Sequence, residues 1–285
     1  MRLAGGEDMD EFIVSGRPRI SDMDTQRHVT SRAYESLCYD ARFLLLEKSG
    51  FPVEKLLEEK ILLQPLRSEA KFYQQQMAGA DLSVVTKAVR VNDGLIFWDQ
   101  EVRQKDGKSA AHIKTLTRLE KGGAGFNVTA IGEGLDSPMF DEMAPYGGSC
   151  KRTVCSLAVG FSDRDILGVP YVSSLWKVFE EGRWRFSQDR DLTLDLFVKI
   201  DTIVFFMGGR IDVIRLPLPG EDLKVHTWIR NLGGIRFNFC QEALDSSGKA
   251  VMRMEDDQIV VSVSRARPRK PPLEFIEILK DYIEN

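Results

Sequence analysis

Apolar positions along the chain follow two rhythms, and each rhythm occurs twice. Between Ser31 and about Ser49, the residues Tyr34, Leu37, Cys38, Ala41 and Leu45 recur at spacings of three and four. That is the stripe of an amphipathic helix. Leu175, Val178, Phe179, Gly182 and Trp184–Phe186 repeat it further on. Strand rhythm follows each helix. Leu82–Val91 alternates and is rich in Val and Thr, Asn92-Asp93-Gly94 turns it into Leu95–Val102, and Asp106-Gly107 leads to a strand at about Ala110–Leu119. The later counterparts are Leu223–Arg230, a turn at Gly233-Gly234, Ile235–Leu244, a turn at Ser247-Gly248, Ala250–Met254 and a late strand at Gln258–Val263. A short β-like stretch, Glu11–Val14 or Thr153–Val159, precedes each helix.

One offset, 141 residues, aligns the two halves. It places Ser21-Asp22-Met23-Asp24 on Ser162-Asp163-Arg164-Asp165, and Asp40-Ala41-Arg42-Phe43 on Glu181-Gly182-Arg183-Trp184. It also superposes Gly79–Leu82 on Gly220–Leu223, Gln100-Glu101 on Gln241-Glu242, and Gly107-Lys108 on Gly248-Lys249. Two copies at this period indicate a duplicated domain, since solenoid units run only about 20–50 residues. The expected domains are 1–146 and 147–285, joined through the turn-forming cluster Pro145-Tyr146-Gly147-Gly148-Ser149. A helix with a wide apolar face must be buried, and the only partner large enough is the sheet itself. The expected fold is therefore α+β, twice over, with each helix wrapped by an antiparallel sheet. After the second copy, Arg265–Pro272 is basic and Pro-rich and reads as a solvated tail, followed by a helical pattern over Leu273–Ile283.

Composition narrows the function. The 285 residues are 43% hydrophobic and 29% charged, enough apolar material for two buried cores. A net charge of −4 leaves no basic footprint for nucleic acid. The longest apolar runs, such as Ile203–Met207, are far below the roughly 20 residues that span a bilayer, and the first residues carry no signal-peptide pattern. A cytoplasmic location is the expectation. Four cysteines (Cys38, Cys150, Cys155, Cys240) without a CxxC, and only three histidines (His28, His112, His226), predict neither a disulfide framework nor a metal centre.

Asp22-Met23-Asp24-Thr25-Gln26-Arg27-His28-Val29, followed by Tyr34 and Asp40-Ala41-Arg42, resembles the Asp-x-x-Gly-His-Val-Asn-Asn-x-x-Tyr signature of hydroxybenzoyl-coenzyme A-type hotdog thioesterases. The tandem layout resembles the acyl-acyl-carrier-protein thioesterases, in which two hotdog domains share one chain. The resemblance implies a double hotdog fold and hydrolysis of an acyl thioester on coenzyme A or an acyl carrier protein, without metal or organic cofactor. It implies Asp24 as nucleophile or general base, with His28 and Gln26 positioning water and substrate. Thr30 and Ser31, in place of the Asn-Asn pair, would start the helix whose N–H groups steady the oxyanion. Arg27 replaces the usual Gly. The family's later catalytic carboxylate falls on Gln75 or Gln76, leaving Glu69 as a spare candidate on the preceding strand. The second copy keeps Asp165 and Gly168 but has Val169-Pro170-Tyr171 in place of the histidine segment, so its site is expected to be degenerate. The tandem chain would be a monomeric pseudo-dimer or assemble further.

Other readings of the same residues stay open. Asp24 suits a helix cap as well as catalysis. Asp40 and Glu181 suit ion pairs, Gln74–Gln76 a strand surface, and Phe197, Phe205 and Phe206 a core. Two further functions fit the fold: a non-hydrolytic protein that binds, shapes or cyclises an acyl thioester, and a hydroxyacyl-thioester dehydratase.

Overall fold

A computed structural model of the chain describes residues 11–24, 27–92, 94–120 and 143–284. The chain divides into two compact units, one formed by Met1–Asp141 with Phe161–Trp176 and the other by Glu142–Gly160 with Lys177–Asn285.

The first unit runs β1 (Phe12–Gly16), α1 (Ser31–Lys48), the short α2 (Val53–Glu58), and then β2 (Leu62–Phe72), β3 (Leu82–Asn92), β4 (Leu95–Gln104) and β5 (Ser109–Glu120). Its sheet is antiparallel in the order β1-β3-β4-β5-β2. Helix α1 starts where Thr30 accepts the Ala33 N–H on its hydroxyl, satisfying one amide that the first turn cannot pair internally. The helix stops at Lys48, and Gly50 follows with φ 87°. Its apolar stripe is buried: Cys38, Ala41, Leu45 and Leu46 are at most 1% exposed. At about 1.5–3 kcal/mol per large apolar side chain buried, this face outweighs the helix's modest intrinsic propensity. The opposing side of the sheet supplies Val84, Ala88, Trp98, Val102 and Ile113.

The second unit repeats the plan with β6 (Thr153–Ala158), α3 (Val172–Gln188), α4 (Leu194–Lys199), β7 (Ile203–Val213), β8 (Asp222–Arg230), β9 (Arg236–Leu244) and β10 (Ala250–Ser262). The division between the units falls inside α3, at Trp176. The strand order is β6-β8-β9-β10-β7, with the two-residue β11 (Arg267–Pro268) added to β10 and α5 (Leu273–Leu279) closing the chain. Below the sheet, Phe186, Phe237, Phe239 and Phe275 form a buried cluster, against which Phe197 packs.

Registers match at the offset read from the sequence. Phe12 faces Thr86, and Thr153 faces Thr227. Thr86 faces Gln100, and Thr227 faces Gln241. Glu69 faces Lys114, and Arg210 faces Glu255. Each position in the second pair lies 141 residues beyond its counterpart.

Several expectations need correction. Ala250–Met254 and Gln258–Val263 are one strand, kinked by a register shift between Asp257 and Gln258. The charged stretch between them hid its continuity. Gln74–Gln76 lie beyond the end of β2 at Phe72, so they form a loop. The basic stretch is not a free tail: β11 pairs with β10, and Arg269 bonds Asp201. The helical pattern over Leu273–Ile283 forms α5 only to Leu279, with a single 3-10 turn at Lys280–Tyr282 after it. Strand β7 was not anticipated, because Gly208-Gly209 interrupts its alternation.

Candidate active site

The loop that leads into α1 is closed on itself. Met23 and Val29 form an antiparallel bridge. The Asp24 N–H donates to the His28 carbonyl at 2.9 Å, and the Arg27 N–H donates to the Asp24 carbonyl at 3.0 Å. The Asp24 side chain completes the turn, its Oδ1 accepting the His28 N–H at 2.9 Å. Asp24 and His28 therefore stand at opposite ends of one tight loop, both half-buried, directly before the helix start. Arg27 sits at φ 67°, in the left-handed region that favours Gly. This accounts for the glycine that thioesterase signatures place there. Thr30 is fixed twice, its N–H donating to the Asp22 carbonyl and its hydroxyl capping α1. Ser31 is the first helical residue. Gln26 lies outside the described residues.

The equivalent loop of the second copy falls within the first unit, in the segment Phe161–Trp176. It has the same frame. Arg164 bridges Pro170, the Asp165 N–H donates to the Val169 carbonyl, and Gly168 occupies the left-handed position at φ 79°. Asp165 Oδ1 accepts the N–H groups of both Leu167 and Val169 at 2.9 Å. Its other oxygen accepts the Tyr39 hydroxyl of α1 at 2.6 Å. Burial, followed by the Asp165 charge, pushes the Tyr39 hydroxyl pKa well up. Tyr39 also meets the Tyr171 ring edge-on, at 5.2 Å between centroids. A void of only about 10 Å³ remains among Tyr39, Phe43, Leu63, Trp98 and Pro170, at the lower edge of what one water needs. Both Asp165 carboxylate oxygens are thus hydrogen-bonded within the protein. Tyr39 gave no signal in the sequence, because it breaks no rule of the helical stripe.

The remaining candidates separate. Gln76 is brought to the loop: it is 8% exposed, and its carbonyl accepts the Val29 N–H at 3.0 Å. Gln75 is exposed. Glu69 is not brought there. Its neighbours Ser68 and Ala70 point inward, while Glu69 pairs with Lys71 at 3.2 Å and faces Lys114 across the ladder. The equivalent position in the second unit holds Arg210, opposite Glu255. A site that accepts either sign of charge, provided its cross-strand neighbour is opposite, fits sheet pairing. Asp40 is exposed on α1, and the ion pair expected for this helix joins other residues: Arg42 Nη1 lies 2.8 Å from Glu35 Oε1, with side-chain exposures of 4% and 1%. Burial raises the Glu35 pKa against the opposing pull of Arg42. Among the described residues, no group of three or more His, Cys, Asp or Glu side chains is gathered as metal ligands. None of the described helices is long and apolar enough to cross a membrane.

The antiparallel strands and the long helices α1 and α3 fit a hotdog fold. Comparison with solved structures gives the same fold across nearly the whole chain. An oleoyl thioesterase from Lactobacillus plantarum aligns with a TM-score of 0.71 at 9% identity, covering 89% of this chain and 97% of that one. An acyl-acyl-carrier-protein thioesterase from Bacteroides thetaiotaomicron aligns with a TM-score of 0.65 at 14% identity, over 88% and 98% of the two chains. A 12:0-acyl-carrier-protein thioesterase from Umbellularia californica also scores 0.65, at 13% identity over 91% and 95%. In fold, the chain therefore resembles acyl-acyl-carrier-protein thioesterases. No family model and no curated protein matches the sequence.

Proposed function

We propose that the chain is a tandem hotdog hydrolase of acyl thioesters carried on coenzyme A or an acyl carrier protein, with domains close to 1–146 and 147–285. The observation that carries this reading is the contrast between two loops of one geometry. Both place an aspartate at the amino end of a central helix, but only the first ends in a histidine.

In this reading Asp24 acts as general base, its plane held by the His28 N–H. It removes a proton from water as the water oxygen attacks the thioester carbonyl carbon. The oxyanion forms at the start of α1, where N–H dipoles favour negative charge. Collapse breaks the C–S bond, and the thiolate takes up the proton to leave as free thiol. His28 orients water or the carboxylate, Gln26 and Gln76 contribute polar contacts, and Thr30 holds the helix start in place. The structural neighbours described as thioesterases support this assignment.

A second reading, acyl-thioester binding without hydrolysis, is favoured by one observation: Glu69, the spare candidate for a second carboxylate, pairs with Lys71 and faces Lys114 across the ladder. Free-thiol release from acyl-coenzyme A and acyl-carrier-protein panels separates the two. Turnover that collapses in Asp24→Asn supports hydrolysis. An intact acyl ligand bound without any turnover sinks it.

A further inference from the structure

Helices α4 and α5 both rest on the phenylalanine cluster of the second unit. Phe197 of α4 meets Phe275 of α5 at 6.4 Å between ring centroids, and Ile200 joins the same cluster. Away from the cluster both helices are apolar and wet. Leu194 and Val198, one turn apart on α4, are 68% and 58% exposed, and Leu273, the first residue of α5, is 80% exposed. Packing of the core accounts for Phe197 and Phe275 but for none of these three.

The turn between β10 and β11 is brought to the same place. Asp201, two residues past α4, accepts the Ser262 hydroxyl and the Ser264 N–H, both at 2.7 Å, and Arg269 Nη1 at 3.2 Å. Val263, 42% exposed, lies between the two bonded serines. Arg265 and Arg267 are exposed on either side of Ala266, whose φ of 49° tightens the turn. Lys270 follows them and Lys199 ends α4, both exposed as well. Asp201 neutralises Arg269, and residues 263–273 contain no acid. The exposed acids of the adjoining helix turns are Asp195 and Glu274, while Glu277 is paired with Lys280. Four cations therefore face two carboxylates. The fold does not demand this balance. Counted back by 141, Val198 becomes Leu57, but Lys199-Ile200 becomes Glu58-Glu59, so the same helix end in the first copy is acidic.

We propose that this patch docks the second unit onto an anionic phospholipid bilayer. Leu273 and Val198 enter the headgroup layer, and Arg265, Arg267 and Lys199 meet lipid phosphates. Peripheral attachment of this kind adds apolar burial to charge attraction. These segments present no exposed aromatic side chain, whereas protein interfaces commonly anchor on Trp or Tyr. Aliphatic side chains among cations suit a fluid anionic surface better than a partner of fixed shape. The turn is already held by Asp201 and by the β10–β11 pairing, so docking orders little that is free. Nothing is asked of the Asp24 loop, so the proposal stands whether or not thioester hydrolysis does.

The test is flotation of the full chain with two kinds of vesicle, phosphatidylcholine alone and equal parts of phosphatidylcholine and phosphatidylglycerol. Binding to the mixed vesicles is expected, and at least about fivefold weaker binding to phosphatidylcholine alone. The double variant Arg265→Glu, Arg267→Glu and the single variant Leu273→Ser should each bind the mixed vesicles at least about fivefold more weakly. All three side chains are exposed, and an unchanged thermal midpoint of each variant verifies folding. Lys199→Glu, on a separate element, replaces the arginine pair if that midpoint falls. No binding to the mixed vesicles, equal binding to both kinds, or binding that survives either change overturns the proposal. So does capture of polyglutamate without vesicle binding, which would give the patch to an acidic protein surface instead.

Discussion

Arg42 and Gln100 are joined in the interior of the first unit, Arg42 Nε donating to Gln100 Oε1 at 2.7 Å. Gln100 Nε2 in turn donates to the Cys38 carbonyl at 2.8 Å and to Thr86 at 3.0 Å. The same wiring stands 141 residues on. Gln241 Nε2 donates to the Phe179 carbonyl and to Thr227, both at 3.0 Å, and Arg183 reaches Gln241 Oε1 at 3.5 Å. Only the counter-charge has moved. Arg42 is compensated by Glu35 on its own helix and bonds Thr115 on the sheet. Arg183 is compensated from the sheet by Asp256, the counterpart of Thr115, while Trp176 fills the counterpart of Glu35. A buried arginine needs one carboxylate and not two, and each copy places it on a different element.

Removing that carboxylate should be costly. Glu35→Ala is expected to destabilise by about 3–5 kcal/mol, because it strands a buried guanidinium. The double variant Glu35→Leu, Arg42→Met should recover most of the loss. Urea unfolding of both tests this; a single variant within 1 kcal/mol of wild type, on the order-of-magnitude scale of buried pairs, would contradict it.

Asp256 makes stability fall as pH rises through the weakly acidic range. Burial raises its carboxyl to about 6, against the pull of Arg183 and the Phe239 N–H. The group's folded value lies above its unfolded one. Its contribution is therefore fully present below the usual carboxylate range and is lost as pH rises towards about 6. Against Asp256→Asn, wild type should lose stability across this window, by at most about 1.4 kcal/mol per pH unit. Urea midpoints at several pH values that stay parallel for the two proteins would refute the assignment.

Gly182 is a helix-interior glycine that alanine should not improve. In an open helix the exchange gains about 1 kcal/mol. Here an added Cβ would stand 2.5 Å from Gln241 Nε2 and 3.0 Å from Val225. The amide cannot swing aside without releasing the Phe179 carbonyl and Thr227. Gly182→Ala is expected to lower stability by about 1–3 kcal/mol, as overpacking does. A raised thermal midpoint would show that the network yields.

Much of this was legible in the residues. The stripe over Ser31–Ser49 and the alternation of β3, β4 and β8 read directly, because one face of each is buried and the other is wet. Gln100 and Gln241 were visible as repeat anchors, although their role as helix-to-sheet connectors needed coordinates. Strand β7 was hidden by its glycines, and β10 by the charges at its bulge. The Glu35–Arg42 pair could have been found from its spacing of seven on one helix face. The Tyr39–Asp165 bond could not, since it joins residues 126 apart through no shared pattern.

Arg27 tests whether the loop tolerates its cation only on sufferance. A non-glycine residue in the left-handed region costs about 1–2 kcal/mol, and glycine gives part of that back through greater freedom in the unfolded chain. Arg27→Gly should leave the urea midpoint at or slightly above wild type. Gly168→Val, at the equivalent φ of 79°, should lower it. A clear loss of stability in Arg27→Gly would mean that the guanidinium holds the loop.

Asp24 and Asp165 should respond in opposite ways to substitution. Asparagine at position 24 retains an oxygen for the His28 N–H, so Asp24→Asn should alter stability by under about 1 kcal/mol. It should also abolish at least about 99% of thioester turnover, the scale of a lost general base. Alanine at position 165 removes the acceptor for two loop amides and for Tyr39. Asp165→Ala should therefore cost about 1–3 kcal/mol. Its effect on turnover at a temperature where it remains folded should be small. Paired thiol-release and urea measurements decide the matter. If Asp165→Ala abolished turnover while Asp24→Asn spared it, the active loop would be the second copy's and the proposed assignment would be reversed.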